Sequence, residues 1–421
     1  MGKTQKSENL ARVVLERCRK LAAFSEDADS IRRTFLSPPM HEVHAEITSW
    51  LKPLGAEVQI DAAGNLRALY RGSAPGAQRL MIGSHLDTVP NAGAFDGILG
   101  VVLAVALLES FAPRKLPFGV EVVGFSEEEG VRFGVPFIGS RALVGRVDDE
   151  LLNRQDADGI SMRSAIEKFG LGPAEISKAR IDDDVCAFLE FHIEQGPILE
   201  EMGLPLAAVE AIAGQTRMDF GFTGRSNHAG TTPMHLRRDA MAGAAEWITE
   251  VEKLATNTPG LVATVGSAKI IPGATNVIAR EAWLSLDVRH AADPVRMKAV
   301  QDLTGRAEEI ARRRGLTVSA TTRVNQEAVS MDPTLVSEIE QAIQKTAARP
   351  YRMVSGAGHD AMVMAEKVPA AMIFLRTPGG ISHDPSESVA EDDVAKAIEC
   401  GLHLLEQLAA SSLFQTRTQR A

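Results

Sequence analysis

Apolar positions along this chain recur with two different periods, and the switching between them outlines a layered fold. Leu10, Val14, Cys18 and Leu21 fall at helical spacing within residues 8–24, which therefore read as an amphipathic first helix. Residues 39–53 give a second helical pattern. Short β-rich runs follow at 57–60, 66–70 and 79–84. The longest apolar run, Ile98 to Leu108, suits a buried helix after a glycine-containing turn. Two further runs, GVEVVGFS (119–126) and CAFLEFHIE (186–194), read as apolar strands. Strands that are apolar throughout and alternate with helices predict an α/β fold with a largely buried sheet.

The pattern changes near Gly214. TRMDFGFTGRS alternates as a strand, RRDAMAGAAEWITEVEKLATN is helical, and LVATVGSAKIIPG and TNVIAREAWLSLDVRH are strand-like. DPVRMKAVQDLTGRAEEIARRRG is a second helix and LTVSATTRVNQ a last strand. That β-α-β-β-α-β order describes a small two-layer unit. The α/β pattern then resumes with helix 333–347, strand AAMIFLR (370–376) and helix 391–410. The predicted organisation is a large domain from 1–212 and 329–421, interrupted by an inserted domain at 213–328.

At 421 residues the chain exceeds one ordinary core, which agrees with two domains. Its net charge of −10 offers no basic excess to neutralise phosphates, so neither a nucleic-acid nor an anionic-membrane partner is expected. No stretch approaches the apolar length of a membrane span, and the N-terminus lacks the apolar run of a signal peptide. The three cysteines, Cys18, Cys186 and Cys400, are sparse and widely spaced, as in a reducing compartment. A cytoplasmic location is the expectation.

Candidate chemistry lies where the apolar runs end. His85 and Asp87 sit two residues apart at a strand end, so they share a face. Asp96 precedes the apolar helix and by itself reads as its N-cap, a reading compatible with a carboxylate that bridges two cations. Glu127, Glu128 and Glu129 follow a strand; three clustered acids beside apolar sequence repel one another unless cations are present. His192 lies near the end of the strand CAFLEFHIE, and His383 lies in a glycine-rich loop after AAMIFLR. His85, Asp96, Glu129, His192 and His383 with a spare acid, Glu128, make up what a two-metal hydrolase requires. Ligands in α/β folds bind beyond the carboxyl ends of strands, where His85, Glu128, Glu129 and His192 fall. In the inserted segment, Arg289 is either a surface partner of Asp287 or a clamp for a carboxylate. Residue type and spacing favour neither reading for Arg289, His228 or Asn276.

Taken together, GSHLDTVPNAGAFDGILG, EEEGVRFG, FHIEQGPILE, HAGTTPM and GGISH resemble the motifs of the aminoacylase/carboxypeptidase superfamily of two-metal hydrolases. The closer resemblance is to its carbamoyl-amidohydrolase branch of N-carbamoyl-L-amino-acid hydrolases, allantoate amidohydrolases and β-ureidopropionases. The resemblance implies a zinc-peptidase-like catalytic domain with a mixed sheet and an inserted ferredoxin-like domain that serves as lid and dimerisation surface of a homodimer. It implies that His85, Asp96, Glu129, His192 and His383 are metal ligands, with Asp96 bridging two divalent ions. Asp87 would orient His85, and Glu128 would be the general base. His228 would reach the neighbouring subunit's active site and help to stabilise an oxyanion. Asn276 and Arg289 would bind a substrate carboxylate. Gln195, Gln215, Gly358 and His359 fall in stretches that look like active-site segments. The implied reaction is hydrolysis of the ureido C–N bond of a small carboxylate-bearing substrate, an N-carbamoyl-L-amino acid or allantoate. An N-acyl amino acid amidohydrolase or dipeptidase on the same scaffold is a further alternative. Imidazole and carboxylate ligands without thiolate suit Zn, Mn, Co or Ni alike.

Overall fold

A computed structural model describes residues 3–73, 76–112 and 115–411. The strands are β1 (Glu57–Ile60), β2 (Leu66–Tyr70), β3 (Arg79–His85), β4 (Gly119–Phe125), β5 (Val185–Ile193), β6 (Leu206–Ile212), β7 (Gly214–Thr223), β8 (Val262–Thr264), β9 (Ala268–Ile271), β10 (Glu281–His290), β11 (Thr317–Gln326), β12 (Val329–Ser330), β13 (Arg352–Ser355) and β14 (Ala370–Leu375). The chain divides into two compact units, Met1–Glu210 with Met331–Ala421, and Ala211–Ser330.

In the first unit the strand order is β1-β2-β4-β3-β5-β14-β6, with β13 also on β6. The four neighbours β4, β3, β5 and β14 are parallel, while β1, β2 and β6 pair antiparallel with theirs. The sheet is therefore mixed, within an α/β fold. β3, β4 and β14 are buried along their whole length, as is nearly all of β5, which is what continuous apolar runs produce when helices cover both faces. β3 lies between β4 and β5. The chain leaves it through the apolar helix Ile98–Phe111 to β4 on one side, and reaches β5 on the other. Such a reversal opens a crevice at the carboxyl ends of the strands. His85 and Ile193 are the last residues of β3 and β5, and Ser126 and Arg376 follow β4 and β14.

Beside this sheet, the helix Pro39–Leu51 buries Met40, Val43, His44, Ile47 and Leu51, a stripe at helical spacing. His44 is part of that stripe, its ring edge-on to Phe169 at 5.9 Å, and its Nε2 has no hydrogen-bond partner. Burial, with the nearby His41 and Arg33, pushes His44 from 6.5 down to about 3. A depressed folded pKa gives stability that is present above 6.5 and is lost as pH falls toward about 3. The His44→Leu variant should therefore lose less unfolding free energy than wild type over that acid range, by an amount on the order of a few kcal/mol in calorimetry. Parallel acid limbs for the two proteins would refute the assignment.

The second unit is an antiparallel sheet in the order β11-β7-β10-β8, with β9 also on β10. The run expected as one strand over LVATVGSAKIIPG is two, β8 and β9, which meet the same strand β10 at its two ends. Alternation decides the faces. Met218, Phe220, Phe222, Leu284, Leu286 and Val288 point inward, onto Trp247 and Leu303 of the helices Ala240–Thr256 and Asp293–Arg314. Trp247 donates its Nε1–H to the Leu303 carbonyl at 2.9 Å, which satisfies the one polar atom of that ring. Gln215, Arg217, Asp287 and Arg289 hold the alternate positions and share the opposite face.

Candidate metal centre

The carboxyl ends of the parallel strands gather polar side chains that the chain spreads over three hundred residues. One ligand atom each of His85, Asp96 and His192 lie within 4.8 Å of one another, and the same holds for Asp96, Glu129 and His383. Asp96 belongs to both groups through different oxygens. Its Oδ1 lies 3.1 Å from His192 Nε2 and 3.5 Å from His85 Nε2. Its Oδ2 lies 3.2 Å from His383 Nε2, which is itself 3.5 Å from Glu129 Oε1.

Local structure sets these directions. The helix Ile98–Phe111 starts at Gly97, and no side chain caps it. The capping reading of Asp96 is thereby overturned: its carboxylate turns to the histidines instead. Gly97 has φ +67°, and a Cβ there would sit 2.5 Å from His85 ring atoms, so only glycine leaves room for the imidazole. His192 Nδ1 lies 2.9 Å from the Ile193 carbonyl, and His85 Nδ1 lies 3.1 Å from the Asp87 carbonyl and 3.5 Å from its Oδ1. With the proton on Nδ1 in each ring, both Nε2 lone pairs face Asp96. Asp87 is fixed in turn, because it accepts the amide N–H groups of Glu128 at 2.9 Å and Glu129 at 3.1 Å. His383 and Gln195 both have φ +58°, a region that non-glycine residues rarely adopt. Gln195 donates to Asp96 Oδ2 at 2.9 Å and lies 3.4 Å from His383 Nε2.

Electrostatics mark the same place. Burial opposes charge on His85, yet the neighbouring carboxylates of Asp87, Asp96 and Glu128 outweigh it and raise the imidazole well above its ordinary value. Asp96 is buried, but His192, His383 and His85 hold it well below the carboxylate range. Burial and the adjacent Glu129 push Glu128 well above that range, and burial lifts Glu129 to about 7. Glu128 is only 8% exposed, and it and Glu129 offer oxygens within 4.8 Å of a His85 nitrogen. The acidic run is thus a buried cluster, unlike the solvated loop that such runs usually form.

The set fits divalent cations. Asp96 Oδ1 is buried without a hydrogen-bond partner, and imidazole lone pairs converge on it. Imidazoles, carboxylates and no thiolate suit a borderline or hard ion. His85, Asp96 and His192 would hold one ion and Asp96, Glu129 and His383 another.

His359 is buried behind His192, their ring centroids 4.5 Å apart, and its Nε2 lies 3.0 Å from Ser355 Oγ. Burial and the neighbouring His192 lower it well below the usual histidine value. Gly358 lies next to it, and a Cβ there would come 2.8 Å from the Phe137 ring. In the second unit His228 and Asn276 are exposed on bridged segments: His228 pairs with Val277, and Ala229 N–H donates to the Asn276 carbonyl at 2.9 Å. Arg289 lies opposite Gln215 in the sheet and forms a two-pronged ion pair with Asp287, at 2.9 Å for each contact. Gln215 donates to Gln326 at 2.7 Å.

Three supporting residues escaped the sequence reading. Glu190 is buried two positions before His192 and accepts from Ser84 Oγ at 2.7 Å and from the Ala361 amide at 2.9 Å. A carboxylate inside an apolar strand, in phase with His192, was a signal for it. Arg33 is fully buried and donates to the carbonyl of Leu86 at 2.7 Å, beneath the His85–Asp87 strand end. Glu387 accepts the amides of Phe95 and Asp96, and nothing in DPSES distinguishes it from a surface acid.

Residues 81–407 match peptidase family M20/M25/M40. An N-carbamoyl-L-amino acid amidohydrolase of Geobacillus stearothermophilus is 40% identical over 86% of this chain and 90% of its own length. An allantoate deiminase of Arabidopsis thaliana is 36% identical over 93% of this chain and 81% of its own. The crystal structure of an amidase of the hydantoinase/carbamoylase family from Burkholderia multivorans superposes with a TM-score of 0.90 at 28% identity, covering 95% of this chain and 98% of that one.

Proposed function

This chain belongs to peptidase family M20/M25/M40, in its carbamoyl-amidohydrolase branch, and from that premise we propose that it is a two-metal amidohydrolase that cleaves the ureido C–N bond of an N-carbamoyl-L-amino acid to give the amino acid, ammonia and carbon dioxide. The observation that carries the proposal is the pair of ligand groups sharing Asp96, with the buried acid Glu128 at their edge. Allantoate is the second reading, favoured by the allantoate deiminase relative that matches 93% of the chain.

Two divalent ions bound there would supply Lewis-acid polarisation and an acidified water. Glu128 takes the proton of the attacking water and returns it to the leaving nitrogen. Asp87 keeps His85 oriented while its own oxygens are held by the Glu128 and Glu129 amides. Gln195 fixes the Asp96 carboxylate from the other side. His228 of a neighbouring subunit would polarise the carbonyl oxygen as charge develops on it, and Asn276 and Arg289 would bind the substrate carboxylate. The working assembly is a homodimer, with the second unit as lid and dimerisation surface. No described helix is long and apolar enough to cross a membrane.

Ammonia release after loading with Mn²⁺, Co²⁺, Ni²⁺ or Zn²⁺ tests the reading. The panel is several N-carbamoyl-L-amino acids, N-carbamoyl-β-alanine, allantoate and N-acetyl amino acids. Turnover of an N-carbamoyl-L-amino acid is expected; turnover of N-acetyl amino acids alone would replace the ureido assignment by an acyl-amide one. Asp287 holds the Arg289 guanidinium in a fixed plane. Losing a charge-assisted carboxylate contact at Arg289→Ala should raise KM about 10- to 100-fold with a smaller change in kcat. An unchanged KM would remove the clamp.

A further inference from the structure

We propose that Glu387 is a positioning residue that aims the Asp96 carboxylate and, through it, both ion sites. The inference rests on the two-ion reading above. Glu387 is 5% exposed, and its Oε1 accepts the backbone N–H groups of Phe95 at 2.9 Å and Asp96 at 3.0 Å. The contact spans 291 residues of chain, from the turn after His383 to the loop between β3 and the helix Ile98–Phe111. One carboxylate thereby joins the segment that presents His383 to the segment that presents Asp96.

Two further observations point the same way. Ser382 Oγ donates to Asp96 Oδ2 at 2.9 Å and stands 3.4 Å from Glu387 Oε2, so Asp96 is held at its amide and at its carboxylate from one loop. The opposing loop is notched to admit the acid: a Cβ on Gly93 would come within 2.4 Å of Glu387 Cβ and Oε1. The turn that carries Glu387 is locked locally by its own amide to the Asp384 carbonyl at 3.0 Å and by the Ser386 amide to Asp384 Oδ1 at 2.9 Å. Removing the carboxylate strands two buried donors beside Asp96. The loop must then move to find other partners, and the direction of Asp96 moves with it. Glutamine keeps the accepting oxygen and so keeps the aim.

The test titrates metal-stripped, full-length protein with Mn²⁺ by calorimetry and records melting of the metal-free form. Wild type should bind two ions. Glu387→Ala should weaken both by about 10- to 100-fold, the usual cost of losing an outer partner of a ligand. Glu387→Gln should keep wild-type affinity. Gly93→Ala, which leaves the acid in place but crowds it, should weaken binding in the same direction. Unchanged Mn²⁺ affinity in Glu387→Ala, with only a lower metal-free melting temperature, overturns the inference and leaves a structural role. Equal losses for Glu387→Gln and Glu387→Ala overturn the two-amide geometry as the cause. Should Glu387→Ala fail to fold, Glu387→Gln at wild-type affinity beside a weakened Gly93→Ala still supports the inference, and an unweakened Gly93→Ala overturns it. Wild-type protein that takes up no Mn²⁺ overturns the two-ion reading itself, a result separable from all of these.

Discussion

Glu128→Gln should lower kcat by about 10²- to 10⁴-fold, the range associated with loss of a positioned general base, and should leave metal content unchanged. Glutamine matches the side chain in volume and keeps the backbone N–H that Asp87 accepts at 2.9 Å, so the support beneath His85 survives. What disappears is a carboxylate. Burial and Glu129 already disfavour its charge, so its loss relieves repulsion at the cluster and gives no cause for a ligand to leave. Glu128 lies outside both groups that share Asp96, although it stands beside His85 and Glu129. The base assignment therefore separates from the ligand assignment in one variant. The checks are kcat for ammonia release and elemental analysis of the same preparation. Full turnover would refute the base, while lost turnover with lost metal would make Glu128 a ligand.

How far the fold was legible follows from which strands announce themselves. β3, β4, β5 and β14 are short runs rich in valine, isoleucine, leucine, methionine and phenylalanine that are buried on both faces. Because they are parallel, their ends share one edge, and His85, the Glu128–Glu129 pair and His192 could be placed there before any distance was known. β6 and β13 were not foreseen. LAAVEAI has the composition of a helix as much as a strand, and RMVS is four residues long. The break between β8 and β9 falls at Val265, Gly266 and Ser267, and the reading as one strand passed over the Gly-Ser pair as a turn signal.

Within the site, single residues were ambiguous and only their joint order was informative. Asp96 had the marks of a helix cap, and what turns it away from that role is Gly97 in a left-handed conformation, with the His85 ring filling the space a side chain would take. Glu387 and Arg33 could not be read, because their partners are backbone groups brought together from distant parts of the chain, and a backbone amide leaves no trace in residue type. Arg289 shows the reverse case: its pairing with Asp287 follows from two-residue spacing on one strand face, and that pairing is compatible with a clamp without arguing for one.

Asp96→Ala should empty both ion sites and reduce turnover to background, whereas His192→Ala and His383→Ala should each weaken one site. Asp96 is the residue the two ligand groups have in common, through Oδ1 on the His85–His192 side and Oδ2 on the His383–Glu129 side. Its loss takes a charged ligand from each ion at once and removes the acceptor toward which three imidazoles are turned. Alanine also frees Gln195 Nε2 and Ser382 Oγ, which hold Oδ2 in place. Elemental analysis after loading and desalting should then give about two, one and zero ions for wild type, the single-histidine variants and Asp96→Ala, as a shared bridging carboxylate requires. One ion retained in Asp96→Ala would show that the two groups hold metal independently, and the bridging role would fall even if both sites were real.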